Sequence, residues 1–411
     1  MNKEEFVWLS KYIKDARIMK SISNRSNDFI DTLMNYINLC SGNINMDVIK
    51  KIIETDTDKK AELIVRVSSN TSFMLSKSRS YEEKLRLIDK IKDASTDLNA
   101  EYIAKIVSNI SVNKRRSFVQ QDILIDKINS VVDDLELSKI VSVIATNSQI
   151  LKRRTFEEQL SIIDLIEKAD TDLKKIYMQA VSTNDFVLKN YSAKEHIELL
   201  SKVFESDSDV KTLLISNYIN LGIKKRNFYE KLGVIEIILK SKNDSIASYI
   251  EYIASNPNLL MFLNSQNHSS ILQRINLADS EEKARCMSLA ILNQYKITDD
   301  DIESVMSLFS KIDSLDNDMK VSCIDSFIIK SDFFFKSDFE EQGVLIDLVA
   351  SLDDENIKDY INMLDCSNIT AKMILSSKEF LHQKEITEEN KKKSCKGCQK
   401  NKIKSLFMKG N

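Results

Sequence analysis

Proline and glycine are nearly missing from this chain. Its 411 residues include one proline and six glycines, where average usage supplies about 20 and about 29. Antiparallel β architectures draw most tight turns from these two residues. The shortage argues against a β-sandwich, a barrel, or a Rossmann sheet with a glycine-rich phosphate loop. Histidine is also scarce: His196, His268 and His382 lie far apart. No His-Glu-x-x-His, Gly-x-Ser-x-Gly or Walker loop is present. No apolar run approaches the ~18 residues of a membrane span. Residues 1–20 carry Lys3, Glu4, Glu5, Lys11, Lys14 and Asp15 among their apolar positions, so the apolar stretch of a secretory signal is missing. The expected protein is all-α, with turns made by Asn, Asp, Ser and Thr, and cytoplasmic or in a particle assembled in the cytoplasm.

What is present is a repeat. Ser80-Tyr-Glu-Glu83, Ser117-Phe-Val-Gln120, Thr155-Phe-Glu-Glu158, Ser192-Ala-Lys-Glu195 and Asn227-Phe-Tyr-Glu230 fit one pattern at spacings of 37, 38, 37 and 35. Each is a capping box: the first side chain takes a backbone N–H and the fourth reaches back to the cap. Ser337-Asp-Phe-Glu340 and Ser376-Ser-Lys-Glu379 match it later in the chain. A second register of helix starts falls near Asp58, Asp97, Asp134, Asp172, Asp209, Asp244, Ser280, Asn317 and Asp354, where carboxylates favour the positive end of a helix. Each unit therefore reads as a first helix, an acidic turn, a second helix and a short connector such as Asn184–Lys189, with room for one extra helical turn. Asp299-Asp-Asp301 with Glu303 falls in this register as a helix start after Thr298.

About nine such units of about 37 residues cover residues 43–377. Residues 1–42 read as an N-terminal helical cap, with an amphipathic helix around Phe6, Val7, Leu9, Tyr12 and Ile13. Pro257 falls in a connector, and the pattern weakens over 257–270, which suggests a bend. Residues 378–411 form a basic tail. Paired helices at this period resemble α-solenoids of the HEAT/armadillo kind. The resemblance is architectural and covers the repeat region. It implies a right-handed α-solenoid that binds other macromolecules along an extended surface. The expected function is thus a non-enzymatic interaction or structural scaffold for protein partners, such as a piece of a large assembly or phage particle. The Lys-, Asn- and Ile-rich composition points the same way, towards an AT-rich genome.

Two features point towards chemistry. Basic clusters recur in phase with the repeat: Lys114, Arg115 and Arg116; Lys152, Arg153 and Arg154; Lys224, Lys225 and Arg226. Lys77 and Arg79 precede them and Lys189 falls between the second and third. Stacked at one register, they would form a cation ladder for a nucleic-acid backbone or an acidic partner; alternatively they complement helix C-termini. The tail is the second feature. Residues 390–411 hold eight lysines, Lys391, Lys392, Lys393 and Lys396 among them, and no acid; removing these charges from the total of −3 leaves −11 on residues 1–389. The tail also carries Cys395-Lys-Gly-Cys398. Two thiolates at this spacing are half of a zinc site, flanking lysines suit a redox thiol, and a metal-free basic arm is the third reading. The remaining cysteines, Cys40, Cys286, Cys323 and Cys366, sit among apolar neighbours and read as core residues.

Overall fold

A computed structural model describes residues 3–40, 45–131, 134–294, 296–330 and 333–358. The basic tail, the Cys395/Cys398 pair, Cys366 and the Ser376 box lie outside these residues. Every regular element among the described residues is helical. The chain divides into two compact units, Met1–Glu205 and Ser206–Asn411.

The local logic of the repeat is visible within each unit. First helices such as Tyr81–Lys92, Phe118–Ser130 and Phe156–Glu167 alternate with second helices such as Asp97–Ser108, Leu135–Thr146 and Asp172–Ser182. The five capping boxes form with both halves made, at Ser80, Ser117, Thr155, Ser192 and Asn227. The Ser337 box differs. Asp338 is the cap and accepts from the Glu341 N–H, while the buried Ser337 hydroxyl donates back to the Phe333 carbonyl. A carboxylate is as good an N-cap as a hydroxyl, so the start moved by one residue.

Helices of the second register begin at the aspartates expected from the sequence, with a shift of one residue between each cap and its aspartate. The caps are Thr57, Thr96, Thr171, Ser208 and Asn243, and the aspartates that follow them occupy the first helical position. That shift has a use. The cap hydroxyls of Ser26, Thr57 and Ser208 each donate to the first-position aspartate one repeat later, Asp58, Asp97 and Asp244. Each hydroxyl also accepts the N–H that closes its own helix. One side chain thus terminates a helix and ties it to the next pair.

Connectors are short helices: Ile110–Arg115, Ser148–Arg153, Asp185–Asn190 and Pro257–Phe262. Pro257 takes the first helical position after the cap Asn256, where a missing N–H costs nothing. Helix Ser265–Asn276 follows with its own cap, Asn264, so the repeat's local elements continue through the stretch where the sequence pattern weakens. The helix Asp209–Asn220 has no connector helix after it. Gly222, at φ 64°, stops the chain there, in the left-handed conformation that glycine adopts freely.

The core alternates in the expected way, with Leu87, Ile88 and Ile91 of one first helix and Ile162, Ile163 and Ile166 of another buried. The N-terminal helix Lys3–Ser10 departs from its amphipathic reading. Leu9 and, just beyond the helix, Ile13 are buried, while Phe6, Val7 and Tyr12 are exposed. Trp8 stacks on Tyr12 with ring centroids 4.9 Å apart.

Candidate functional site

The basic triplets do not act as units. Lys114, Arg115, Lys152 and Arg153 are exposed, whereas Arg116 and Arg154 are each only 7% exposed. Arg79 is buried in the same way. This removes Arg79, Arg116 and Arg154 from any cation ladder facing solvent. Each sits one residue before a capping box, so its side chain enters the gap between neighbouring repeats.

There the three arginines form a relay. The Arg116 guanidinium donates through Nη2 to the carbonyl of Arg154, at 3.1 Å, and through Nε to Oε1 of Gln159, at 2.9 Å. Arg154 repeats the geometry one unit later, donating to the Tyr191 carbonyl at 3.0 Å and to Nδ1 of His196 at 3.4 Å. Arg79 donates to the Arg116 carbonyl and to Gln121 Oε1. Gln121 and Gln159 pass the chain on: their amides donate to the carbonyls of Ile106 and Ile144. Each guanidinium thereby places both Nε and Nη2 on neutral acceptors, which is what burying it without a carboxylate requires. Within the second unit Arg226, partly exposed, donates to the Leu263 carbonyl at 3.1 Å.

His196 belongs to this relay and not to a catalytic constellation. It is the fourth residue of its helix, the place that Gln121 and Gln159 hold in earlier repeats. Because Nδ1 accepts from Arg154, the ring proton belongs on Nε2, on the side of the Val181 carbonyl. Burial, with the Arg154 charge beside it, lowers its pKa to about 3. His268, placed by its sequence in a polar connector, is instead the fourth residue of helix Ser265–Asn276 and is buried. Its Nε2 lies 3.4 Å from the Ile253 carbonyl, and burial lowers its pKa to about 4. His196 thus takes the place of the neutral Gln121 and Gln159 side chains. The signal was in the sequence as a helix cap followed four residues later by Gln or His, at Ser117, Thr155, Ser192 and Asn264.

A second relay uses lysine. Lys60, Lys211, Lys283 and Lys320 hold the third position of their second helices and are buried. Each ammonium pairs with the aspartate just before its own cap: Asp56, Asp207, Asp279 and Asp316. Each then donates across to a carbonyl ending the next first helix, Ala94, Ser241, Asp313 and Ala350. Asn99 does the same work uncharged, donating to Ile128 and Val131.

Two grooves open between successive first helices of the second unit. One, of about 350 Å³, is lined by Arg226, Tyr229, Glu230, Gly233 and His268 among others. The other, of about 300 Å³, lies between Glu303–Lys311 and Phe339–Asp347. Gly233 is mid-helix, and a Cβ there would meet nothing. Gly233→Ala is expected to stabilise the chain by about 1 kcal/mol, read as a shift in urea midpoint at unchanged slope.

Among the described residues the cysteines and acids add no centre. Cys286 and Cys323 are buried and free, and burial raises both thiols, that of Cys323 to about 12. Asp299 accepts from the N–H of Asn264 and the amide of Asn267, and Asp301 caps Thr298, so this acidic run serves the helix start. No group of three or more metal-ligating side chains occurs among the described residues. None of the described helices is long and apolar enough to cross a membrane. Comparison with protein-family models, with curated proteins and with solved structures found no match.

Proposed function

We propose that this chain is an α-solenoid scaffold that binds protein partners along its repeated surface and performs no catalysis. One observation carries the reading. Polar side chains tie one helix pair to the next: cap hydroxyls such as Thr57, the arginines of the arginine relay and the lysines of the lysine relay reach one repeat forward. Bonds directed this way build a stack and leave each unit's outer faces free. Those faces carry apolar side chains in repeat phase. Leu98, Leu173 and Val210 are partly exposed at the second position of their helices.

The stack is tested by solution scattering. A compact chain of this length has a radius of gyration of about 22 Å; a value well above that supports the solenoid, and one near it overturns it. The partner surface is tested with Leu98→Glu and Leu173→Glu, which suit the helix starts and should keep the fold. A discrete partner bound by the wild-type chain should be released by the double variant. Equal retention would reject these faces as the binding surface.

A further inference from the structure

Beyond this reading, we propose that exposed cations on the connectors of the first unit form a nucleic-acid-binding row. Its members are Lys77, Lys114, Arg115, Lys152 and Arg153. The elements that carry them are neighbours: the turn after helix Thr71–Met74, then helices Ile110–Arg115 and Ser148–Arg153, each packed on the next. All five side chains are exposed.

None of the five has an ion pair among the described residues. Two first-helix lysines of this unit, by contrast, are neutralised by the following repeat: Lys90 by Asp122 and Asp126, and Lys127 by Asp164 and Glu167. Lys77, Lys114, Arg115, Lys152 and Arg153 pair with no described carboxylate. Arg153 alone has a partner, the neutral Gln149 amide oxygen at 3.4 Å. Of the acids in the first turns of the following helices, Glu83 and Glu158 each accept their own cap's N–H. Glu157 is the exception, exposed next to the row.

Spacing selects the partner. Packed helices sit 8–10 Å apart, so over steps of about 10 Å the row offers one cation at the first step, Lys77, and two at each of the next two. A nucleic-acid strand carries one phosphate per ~3.4 Å, about three per step, at uniform density along its length. Carboxylates on a folded protein surface are not spaced this evenly. The burial of Arg116 and Arg154 strengthens the case, because these arginines fix the connectors in register while their exposed neighbours face outwards.

The test uses the full chain, tail included, so that only the row changes. The variant is Lys114→Ser, Arg115→Ser, Lys152→Ser and Arg153→Ser together, leaving Arg116 and Arg154 intact. Fluorescence anisotropy measures binding of a labelled single-stranded oligonucleotide, a duplex and polyglutamate over a salt series. The expected result is at least a tenfold loss of oligonucleotide affinity at 50 mM salt. The log–log salt slope should fall by about 0.7 per lost contact for single strands and about 0.9 for duplex. Circular dichroism should show an unchanged fold, and polyglutamate should bind weakly to both proteins. Unchanged oligonucleotide affinity and slope, or no binding by the wild-type chain, overturns the proposal. Equal loss of polyglutamate binding also overturns it, in favour of an acidic protein partner.

Discussion

Arg116→Ala should cost about 3 kcal/mol of stability, while Arg115→Ala should change it by less than about 0.5 kcal/mol. The two arginines are adjacent in sequence and opposite in fate. Arg116 is buried and holds the Arg154 carbonyl and the Gln159 side chain across a repeat boundary. Removing it leaves both acceptors buried and unpaired, at roughly 1–3 kcal/mol each. Arg115 is exposed, and surface substitutions away from special features are nearly neutral. Urea denaturation of both variants checks this. Arg116→Lys should not restore stability, because one ammonium cannot span two acceptors set for a planar fork. A double-mutant cycle with Gln159→Ala should return a coupling energy well above zero. Equal costs for the two arginines would show that the relay is not what joins these repeats.

Acid should weaken the chain through its two buried histidines. The folded state holds His196 near a pKa of about 3 and His268 near about 4, against ~6.5 for an unfolded chain. Above pH 6.5 both rings are neutral in either state and cost nothing. As pH falls below 6.5 the unfolded chain takes up protons that the folded chain refuses, so stability drops until the folded pKa values are reached. Each histidine contributes a slope of up to ~1.4 kcal/mol per pH unit. His196→Gln and His268→Gln together should flatten melting temperature against pH between 6.5 and 4, and His196→Gln should keep stability at pH 7. Gln already performs this task in the two preceding repeats, accepting from arginine and donating to a carbonyl. His196→Leu, which can do neither, should destabilise the chain at every pH. An unaltered acid slope in the double glutamine variant would place the acid sensitivity elsewhere, in the carboxylates.

The helix starts were legible because their chemistry is local. A capping box closes within four residues, so Ser80, Ser117, Thr155, Ser192 and Asn227 could be read one by one, and their spacing revealed the period. Where the Ser337 box differs, an equally good cap, Asp338, lies next door. Burial was the harder part. Lys114, Arg115 and Arg116 are three consecutive cations, and nothing in their composition separates the third from the first two. His268 looked polar among Ser and Asn because its helix starts only at Ser265.

The near-absence of proline and glycine, the period of about 37 residues and the order of first helix, second helix and connector follow from sequence alone. They depend on interactions that span a few residues. Which cations are structural and which face solvent was decided only by tertiary packing. Arg116 meets Arg154 and Gln159 across 38 and 43 residues of chain, so its partners exist only once two repeats have been placed side by side.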